Sequence, residues 1–390
     1  MLTENIKFKN FKINKNIKIN KILERFIKNK ELLKTFPLLS SLTGQYKYSF
    51  NKKNLKKYFK YSSFNIIGMG GSVLGSEAIY EFLNHKIKKK FNFINNLKSN
   101  INLKSKYKNI NIVISKSGNT LETISNLNFV LQKQKKNKNI FITEKKNNHL
   151  RIIANKLKAE IFEHKNFIGG RYSVLSEVGM LPAELMGLNE KKFKRFNQLI
   201  KNKLFTNSLV KNVSFIKKCI DEGKKNSVIL NYDERSENLF KWYQQLVAES
   251  LGKKSKGIFP IISSMPKDNH SLLQLYLDGP KNNFFTFFSV NENKSPKINN
   301  NNLFNRFSNL KNKSLQEILY SQKKATEKVF KYKKIPFRSF EIVRRNEEVL
   351  GELFCFFILE TIMLGRLMKL NPFDQPAVEL VKNETKNFLS

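Results

Sequence analysis

Short apolar runs alternate with amphipathic segments over much of the first half of the chain. The runs FNIIG, FNFI, NINIVIS and NIFIT are typical of buried strands, and helical segments begin near Gly75, Thr120 and Asn147. Parallel strands are buried on both faces and are joined by crossover helices, so this alternation predicts a mainly parallel sheet flanked by helices. The pattern therefore predicts an α/β fold.

The alternation returns after a predominantly helical stretch at residues 188–224. The runs SVILN at 227–231 and FFTFFSV at 284–290 flank a predicted helix from about Glu237 to Leu251. A second α/β lobe is expected to follow the first, because one apolar core seldom serves a chain of 390 residues.

The pattern changes again towards the chain end, where residues 291–313 predict a polar surface loop and residues from about Asn346 predict helices. We therefore expect four parts. They are an N-terminal helical arm over 1–60, a first lobe over 61–187, a second lobe over 188–345, and C-terminal helices over 346–390.

The net charge is strongly positive, since 72 Lys and Arg stand against 31 Asp and Glu, which gives +41. Such a field attracts nucleic acids and other polyanions. Scattered Lys, Asn, Ile and Phe also match the amino acids that AT-rich codons encode, and no zinc-ligand spacing or RNA-binding aromatic motif is present. We favour the codon interpretation and predict no specific nucleic-acid partner.

Targeting and membrane signals are missing from the pattern. The basic N-terminal residues lack the apolar core of a secretory signal. The longest apolar stretch, Leu353 to Met368, contains Glu360 and Arg366, which predicts a buried helix and no membrane association. Two cysteines, Cys219 and Cys355, predict buried thiols in a reducing compartment, so we expect a cytoplasmic protein.

Two glycine- or hydroxyl-rich motifs each follow a predicted strand and precede a predicted helix. In the first, GMGGS at 68–72, glycines allow a tight turn and a close approach of the backbone to a ligand, although a structural turn explains this motif equally well. In the second, SKSGNT at 115–120, three hydroxyls and a lysine meet a helix N-terminus, where an anion is favoured. One hydroxyl suffices for a helix cap, so the second motif predicts a phosphate site.

These motifs resemble the first sugar-isomerase (SIS) domain of the phosphoglucose isomerase family, bacterial type. Residues 166–179, NFIGGRYSVLSEVG, resemble one family signature, and residues 365–382, GRLMKLNPFDQPAVELVK, resemble the other. The stretches AESLGKKSKGIFP and NHSLLQLYLDG match in order and spacing, and the resemblance extends from about Phe64 to Lys382. It implies two SIS-type lobes and reversible interconversion of glucose 6-phosphate and fructose 6-phosphate, with no cofactor and no metal.

The resemblance also implies the catalytic roles. Glu249 corresponds to the base that carries a proton between C1 and C2 through an enediolate, and Arg171 to the cation that stabilises the enediolate. His270 and Lys382 correspond to the residues that open the sugar ring, and the family takes this histidine from the neighbouring subunit of a homodimer. The implied substrate contacts are Gly71, Ser72, Ser115, the Lys116 backbone, Ser117, Thr120 and Gln245.

Two positions depart from the family pattern, and two other functions stay open. Asn119 stands where a threonine is usual, and Glu177 stands where a small residue is usual. One alternative is a dual-specificity isomerase that also accepts mannose 6-phosphate. The other is a SIS-type sugar-phosphate-binding regulator without catalysis, which the retained Glu249, His270 and Lys382 argue against.

Overall fold

The chain folds around two mainly parallel sheets, as a computed structural model describes for residues 2–11, 17–29, 31–98, 109–134, 137–291, 295–298, 310 and 312–389. The strands within these ranges are β1 (Ile6–Lys9), β2 (Ser63–Gly68), β3 (Lys90–Ile94), β4 (Ile110–Ile114), β5 (Lys138–Thr143), β6 (Glu160–Glu163), β7 (Asn226–Asn231), β8 (Phe259–Ser264), β9 (Asn283–Val290) and β10 (Phe337–Ile342). Much of the predicted surface loop at 291–313 lies outside the described residues.

Helices cover the sheets and join their strands, which confirms the predicted α/β class. They are α1 (Ile17–Ile27), α2 (Leu32–Thr35), α3 (Lys52–Leu55), α4 (Leu74–Phe82), α5 (Leu121–Lys133), α6 (His149–Lys156), α7 (Glu177–Leu185), α8 (Phe196–Lys201), α9 (Lys203–Asp221), α10 (Glu237–Leu251), α11 (Leu273–Asp278), α12 (Leu315–Tyr332), α13 (Glu347–Leu367) and α14 (Pro376–Leu389).

The first sheet has the order β3-β2-β4-β5-β6, and all its strand pairs are parallel. A row of asparagines crosses four of these strands in register. Asn92 donates to Asn65 at 3.1 Å, Asn65 donates to Asn111 at 2.8 Å, and Asn111 donates to Asn139 at 2.9 Å. Each amide therefore satisfies its neighbour inside the sheet, where a lone polar group would be costly.

The second sheet has the order β1-β10-β9-β7-β8, and only β1 runs antiparallel to its neighbour. Residues 6–9, within the stretch expected to form a helical arm, thus add an edge strand to this sheet. The sequence pattern also missed β6, β8 and β10, because their apolar and polar residues alternate irregularly.

Helix α13 is buried over most of its length and contacts α9 and α10. Its Glu360 forms a buried ion pair with Arg338, and the Tyr243 hydroxyl donates to the same carboxylate at 3.0 Å. These bonds allow a charged residue inside an apolar helix. Among the described residues, no helix is long and apolar enough to cross a membrane.

Candidate active site

The SKSGNT motif, predicted to bind phosphate, forms a loop between the carboxyl end of β4 and the first turn of α5. The Ser115 and Thr120 hydroxyls lie 2.8 Å apart, and the Asn119 backbone N–H donates to the Ser117 hydroxyl at 3.3 Å. Thr120 occupies the N-cap of α5, yet its hydroxyl makes no capping bond to the helix backbone. Simple capping therefore does not explain the hydroxyl, and the helix N-terminus keeps donors for an anion.

The loop also depends on one glycine and one lysine for its shape. Gly118 has φ +67°, and a Cβ there would lie 2.0 Å from Oδ1 of Asn148. The Lys116 ammonium donates to the Asn166 carbonyl oxygen at 2.7 Å and lies 3.5 Å from the Glu144 carboxylate. The Lys116 side chain is thus already partnered within the chain.

The glycine turn after β2 contacts two other segments of the candidate site. A Cβ on Gly71 would lie 2.3 Å from the carbonyl carbon of Gly170, so only glycine fits between the two backbones. Gly70 has φ +51°, and a Cβ there would lie 2.7 Å from Nε2 of Gln245. Gly71 and Ser72 therefore lie in a turn that packs against the segment of Arg171 and the helix of Gln245.

Arg171 and Glu249 form an ion pair at the centre of this arrangement. The Arg171 Nη1 lies 3.2 Å from Oε2 of Glu249, and the other carboxylate oxygen of Glu249 accepts from the Gln245 amide at 2.8 Å. The Arg171 side chain is 4% exposed, whereas the Glu249 side chain keeps 29% of its surface exposed. The carboxylate is therefore held from within the chain and still reachable by a small molecule.

The rest of the guanidinium is bound by residues that the sequence pattern did not identify. Arg171 donates to the Ser250 hydroxyl at 2.9 Å, to the side-chain amide oxygen of Gln375 at 3.1 Å, and to the backbone carbonyls of Pro372 and Asp374 at 2.7 and 2.9 Å. These bonds fix its orientation, because each N–H has a defined acceptor. The sequence NPFDQP marked this region, but nothing in it identified Arg171 as its partner.

Tyr172 adds a neutral hydroxyl beside the arginine. Burial raises the pKa of Tyr172, and its hydroxyl lies 2.8 Å from the Ser250 hydroxyl and 3.0 Å from the Pro372 carbonyl oxygen. The carbonyl of Pro372 therefore accepts from both Arg171 and Tyr172. This pair of bonds ties the turn at residues 372–374 to the arginine.

His270 and Lys382 lie apart from this group in the single chain. His270 follows β8 at the end of a short 3-10 helix and is exposed, and among the described residues its ring forms no hydrogen bond or ion pair with Glu249. Lys382 lies on the exposed helix α14 and pairs with Glu379 at 2.6 Å. The chain thus brings together Arg171, Gln245, Glu249 and the glycine turn, but not these two residues.

Both departures from the family pattern have local partners. The Asn119 side-chain oxygen accepts from the backbone N–H of His149 at 3.1 Å and lies 2.9 Å from Nδ1 of its ring. The buried Glu177 carboxylate accepts from the Tyr46 hydroxyl and the Ser49 backbone N–H, both at 2.9 Å. Asn119 therefore joins the loop at residues 115–120 to α6, and Glu177 joins α7 to residues 46–49.

Comparison with known proteins identifies the family of this chain. Residues 60–390 match the family model described as phosphoglucose isomerase. The chain belongs to the phosphoglucose isomerase family. The relatives it is similar to include a probable glucose-6-phosphate isomerase of Methanococcus maripaludis, 33% identical over 93% of this chain and 86% of that protein, and a glucose-6-phosphate isomerase of Methanocaldococcus jannaschii, 32% identical over 84% and 85%.

Solved structures support the same fold for this phosphoglucose isomerase family member. A hypothetical protein from Thermus thermophilus has a TM-score of 0.83 at 23% identity and covers 96% of this chain and 95% of its own. A glucose-6-phosphate isomerase from Chlamydia trachomatis has a TM-score of 0.79 at 16% identity, covering 99% and 89%. At these identities the likeness concerns the fold alone.

Proposed function

We propose that this phosphoglucose isomerase family member interconverts glucose 6-phosphate and fructose 6-phosphate through an enediolate. The observation that carries the proposal is the Arg171–Glu249 pair at 3.2 Å, with a half-buried, reachable carboxylate beside a glycine turn. The named relatives support the choice of substrates. A sugar-phosphate site also accounts for the loop at residues 115–120, which lies on the same sheet as the glycine turn.

The phosphate group would bind at the hydroxyl loop. Ser115, Ser117 and Thr120 supply hydroxyl donors, and the backbone of Lys116 supplies a further contact because its ammonium is already bound to Asn166. The N-terminus of α5 adds a favourable dipole. Binding the phosphate here would place the sugar carbons towards the glycine turn, where Gly71 and Ser72 contact the hydroxyls.

Glu249 would take the proton from C2 and return it to C1. A carboxylate suits this step because one group must accept and then donate the same proton. The adjacent Arg171 guanidinium would stabilise the negative oxygen of the enediolate, since its position is fixed before the substrate arrives. Gln245 would contact a sugar hydroxyl, because its side-chain oxygen is buried without a hydrogen-bond partner among the described residues.

Ring opening would use His270 and Lys382. We propose a homodimer in which His270 of one subunit reaches the Glu249 site of the other, because His270 is exposed in the single chain. In this dimer, the exposed helix α14 would move so that Lys382 lies at the same site. The two buried free thiols suit a reducing compartment, so we keep the cytoplasm as the proposed location.

A coupled assay on the purified protein tests the proposal. Fructose 6-phosphate is supplied, and glucose 6-phosphate formation is followed through a dehydrogenase that reduces a nicotinamide cofactor. Steady turnover is the expected result. Mannose 6-phosphate serves as a second substrate, and turnover of both sugars would extend the proposal to a dual-specificity isomerase.

A negative assay also has a defined meaning. Protein that binds fructose 6-phosphate in calorimetry without converting it would contradict the isomerase and favour a sugar-phosphate-binding regulator. Protein that neither binds nor converts the sugar phosphate would contradict the phosphate site as well.

A further inference from the structure

A lysine of the chain connects the segment of Arg171 to residues near the N-terminus. The Lys194 ammonium donates to the backbone carbonyls of Ser41 and Leu175. Leu175 is the last residue of the 3-10 helix Gly170–Leu175, which carries Arg171 in its first turn. A single side chain thus holds the end of this helix and the N-terminal segment together.

Two tyrosines of the N-terminal segment enclose the same ammonium. The Lys194 Nζ lies 5.1 Å from the ring centroid of Tyr46 and 4.8 Å from that of Tyr48, within the range of cation–π attraction. The two rings are 5.2 Å apart and nearly perpendicular. Because the ammonium has two carbonyl acceptors and two aromatic faces, its position is defined from four sides.

Glu177, the first residue of α7, binds the same N-terminal segment. Its carboxylate accepts from the Tyr46 hydroxyl and the Ser49 N–H, and the Ser49 hydroxyl donates to the Glu163 carbonyl at 3.0 Å. Residues 41–49 are therefore hydrogen-bonded to Glu163, which precedes the Arg171 segment in the chain, and to Glu177, which follows it. Residues 41–49 precede position 60, where the match to the family model begins, whereas Lys194, Leu175 and Glu177 lie within the matched region.

We propose that Lys194 is a positioning residue for Arg171, acting through Leu175 and the enclosing residues 41–49. The inference rests on the proposed isomerase function. A six-residue 3-10 helix has poor internal hydrogen-bond geometry, so its position depends on outside contacts. Gly71 contacts its beginning, and Lys194 holds its end. Without Lys194, the guanidinium would lose its exact distance to the enediolate while the phosphate loop stayed intact.

The variant Lys194→Met tests this role, because it keeps the side-chain length and removes all donors. We expect kcat to fall by about tenfold and KM for fructose 6-phosphate to stay within about twofold, since small displacements of a stabilising group act on the transition state. Lys191→Met, an exposed lysine of the neighbouring 3-10 helix Glu190–Phe193, is the matched control and should leave both constants unchanged. If Lys194→Met does not fold, kcat and KM are measured for Lys194→Gln, which keeps a donor, and the same fall in kcat with little change in KM is expected.

A double-variant cycle separates positioning from a general structural effect. In the Arg171→Met background, Lys194→Met should cost no further kcat, because the group that it positions is gone. An unchanged kcat in Lys194→Met, or the same tenfold loss in both backgrounds, would overturn the proposal. Failure of the proposed function is recognised separately, because the unaltered protein would then show no isomerisation.

Discussion

Single residues show where sequence reasoning succeeds and where it stops. The hydroxyls of Ser115 and Thr120 belong to a motif whose hydroxyls are predicted to converge at a helix N-terminus, and they lie 2.8 Å apart. Gln375 meets Arg171 across 204 positions, and only the folded chain brings them together. The role of Glu249 depended on family resemblance, since one helical carboxylate has no distinguishing local pattern.

His164 gives a stability prediction at the scale of one residue. Burial lowers the pKa of His164 from 6.5 to about 4, so the folded chain binds fewer protons than the unfolded chain between these values. The free energy of unfolding should therefore fall as pH decreases from about 6.5 to 4. This group accounts for about 3 kcal/mol of the fall.

The matched variant is His164→Leu, which cannot be protonated. Urea unfolding of the variant and the unaltered chain at several pH values from 7 to 4 should show a shallower decrease for the variant. If the free energy of unfolding decreased equally with falling pH in the two proteins, His164 would not be the group that takes up the proton. His85, an exposed histidine, is the control site for the same substitution.

At the scale of elements, continuous apolar strands were predictable and mixed strands were not. β4, with the sequence INIVI, is buried at every position, whereas β10, with FRSFEI, carries a buried arginine that is paired with Glu360 on α13. Strand β1 is only four residues long, and its residue Lys7 pairs with Glu341, 334 positions away. Local periodicity contains no information about such distant partners.

The asparagine row predicts a large effect from one substitution in the first sheet. Asn111→Leu keeps the size of the side chain but removes the amide oxygen that accepts from Asn65 and the amide N–H that donates to Asn139. The free energy of unfolding should fall by about 1–3 kcal/mol. Denaturant unfolding measures it, and Asn84→Leu at an exposed position is the control. If the free energy of unfolding of Asn111→Leu fell no further than that of this control, the asparagine row would contribute little to stability.

The whole molecule presents a different problem, because parts of the proposed site are not assembled in one chain. Helix α14 has no buried residue, and its Leu380, Val381 and Phe388 are exposed. His270 is exposed as well. Sequence resemblance implied a shared dimeric site, but a pattern within one chain contains no information on contacts between chains. The proposed dimer must therefore be tested by mixing chains.

Complementation provides this test for the whole molecule. A dimer of one His270→Ala chain and one Glu249→Gln chain has one site with both groups intact and one site with neither. Heterodimers purified through two different tags should recover about half the activity of the unaltered dimer, whereas each variant alone is nearly inactive. Heterodimers as inactive as the single variants would contradict a site shared between subunits.

The central claim is that Glu249 transfers the proton between C2 and C1. Its most direct test follows deuterium at C2 of glucose 6-phosphate by NMR in D2O, with Glu249→Gln and, as control, Glu237→Gln in the first turn of the same helix, where the side chain is partly exposed. The unaltered protein and the control should introduce deuterium, and Glu249→Gln should slow its appearance by about 10³-fold while still binding the sugar phosphate. Exchange at an undiminished rate in Glu249→Gln would contradict the account.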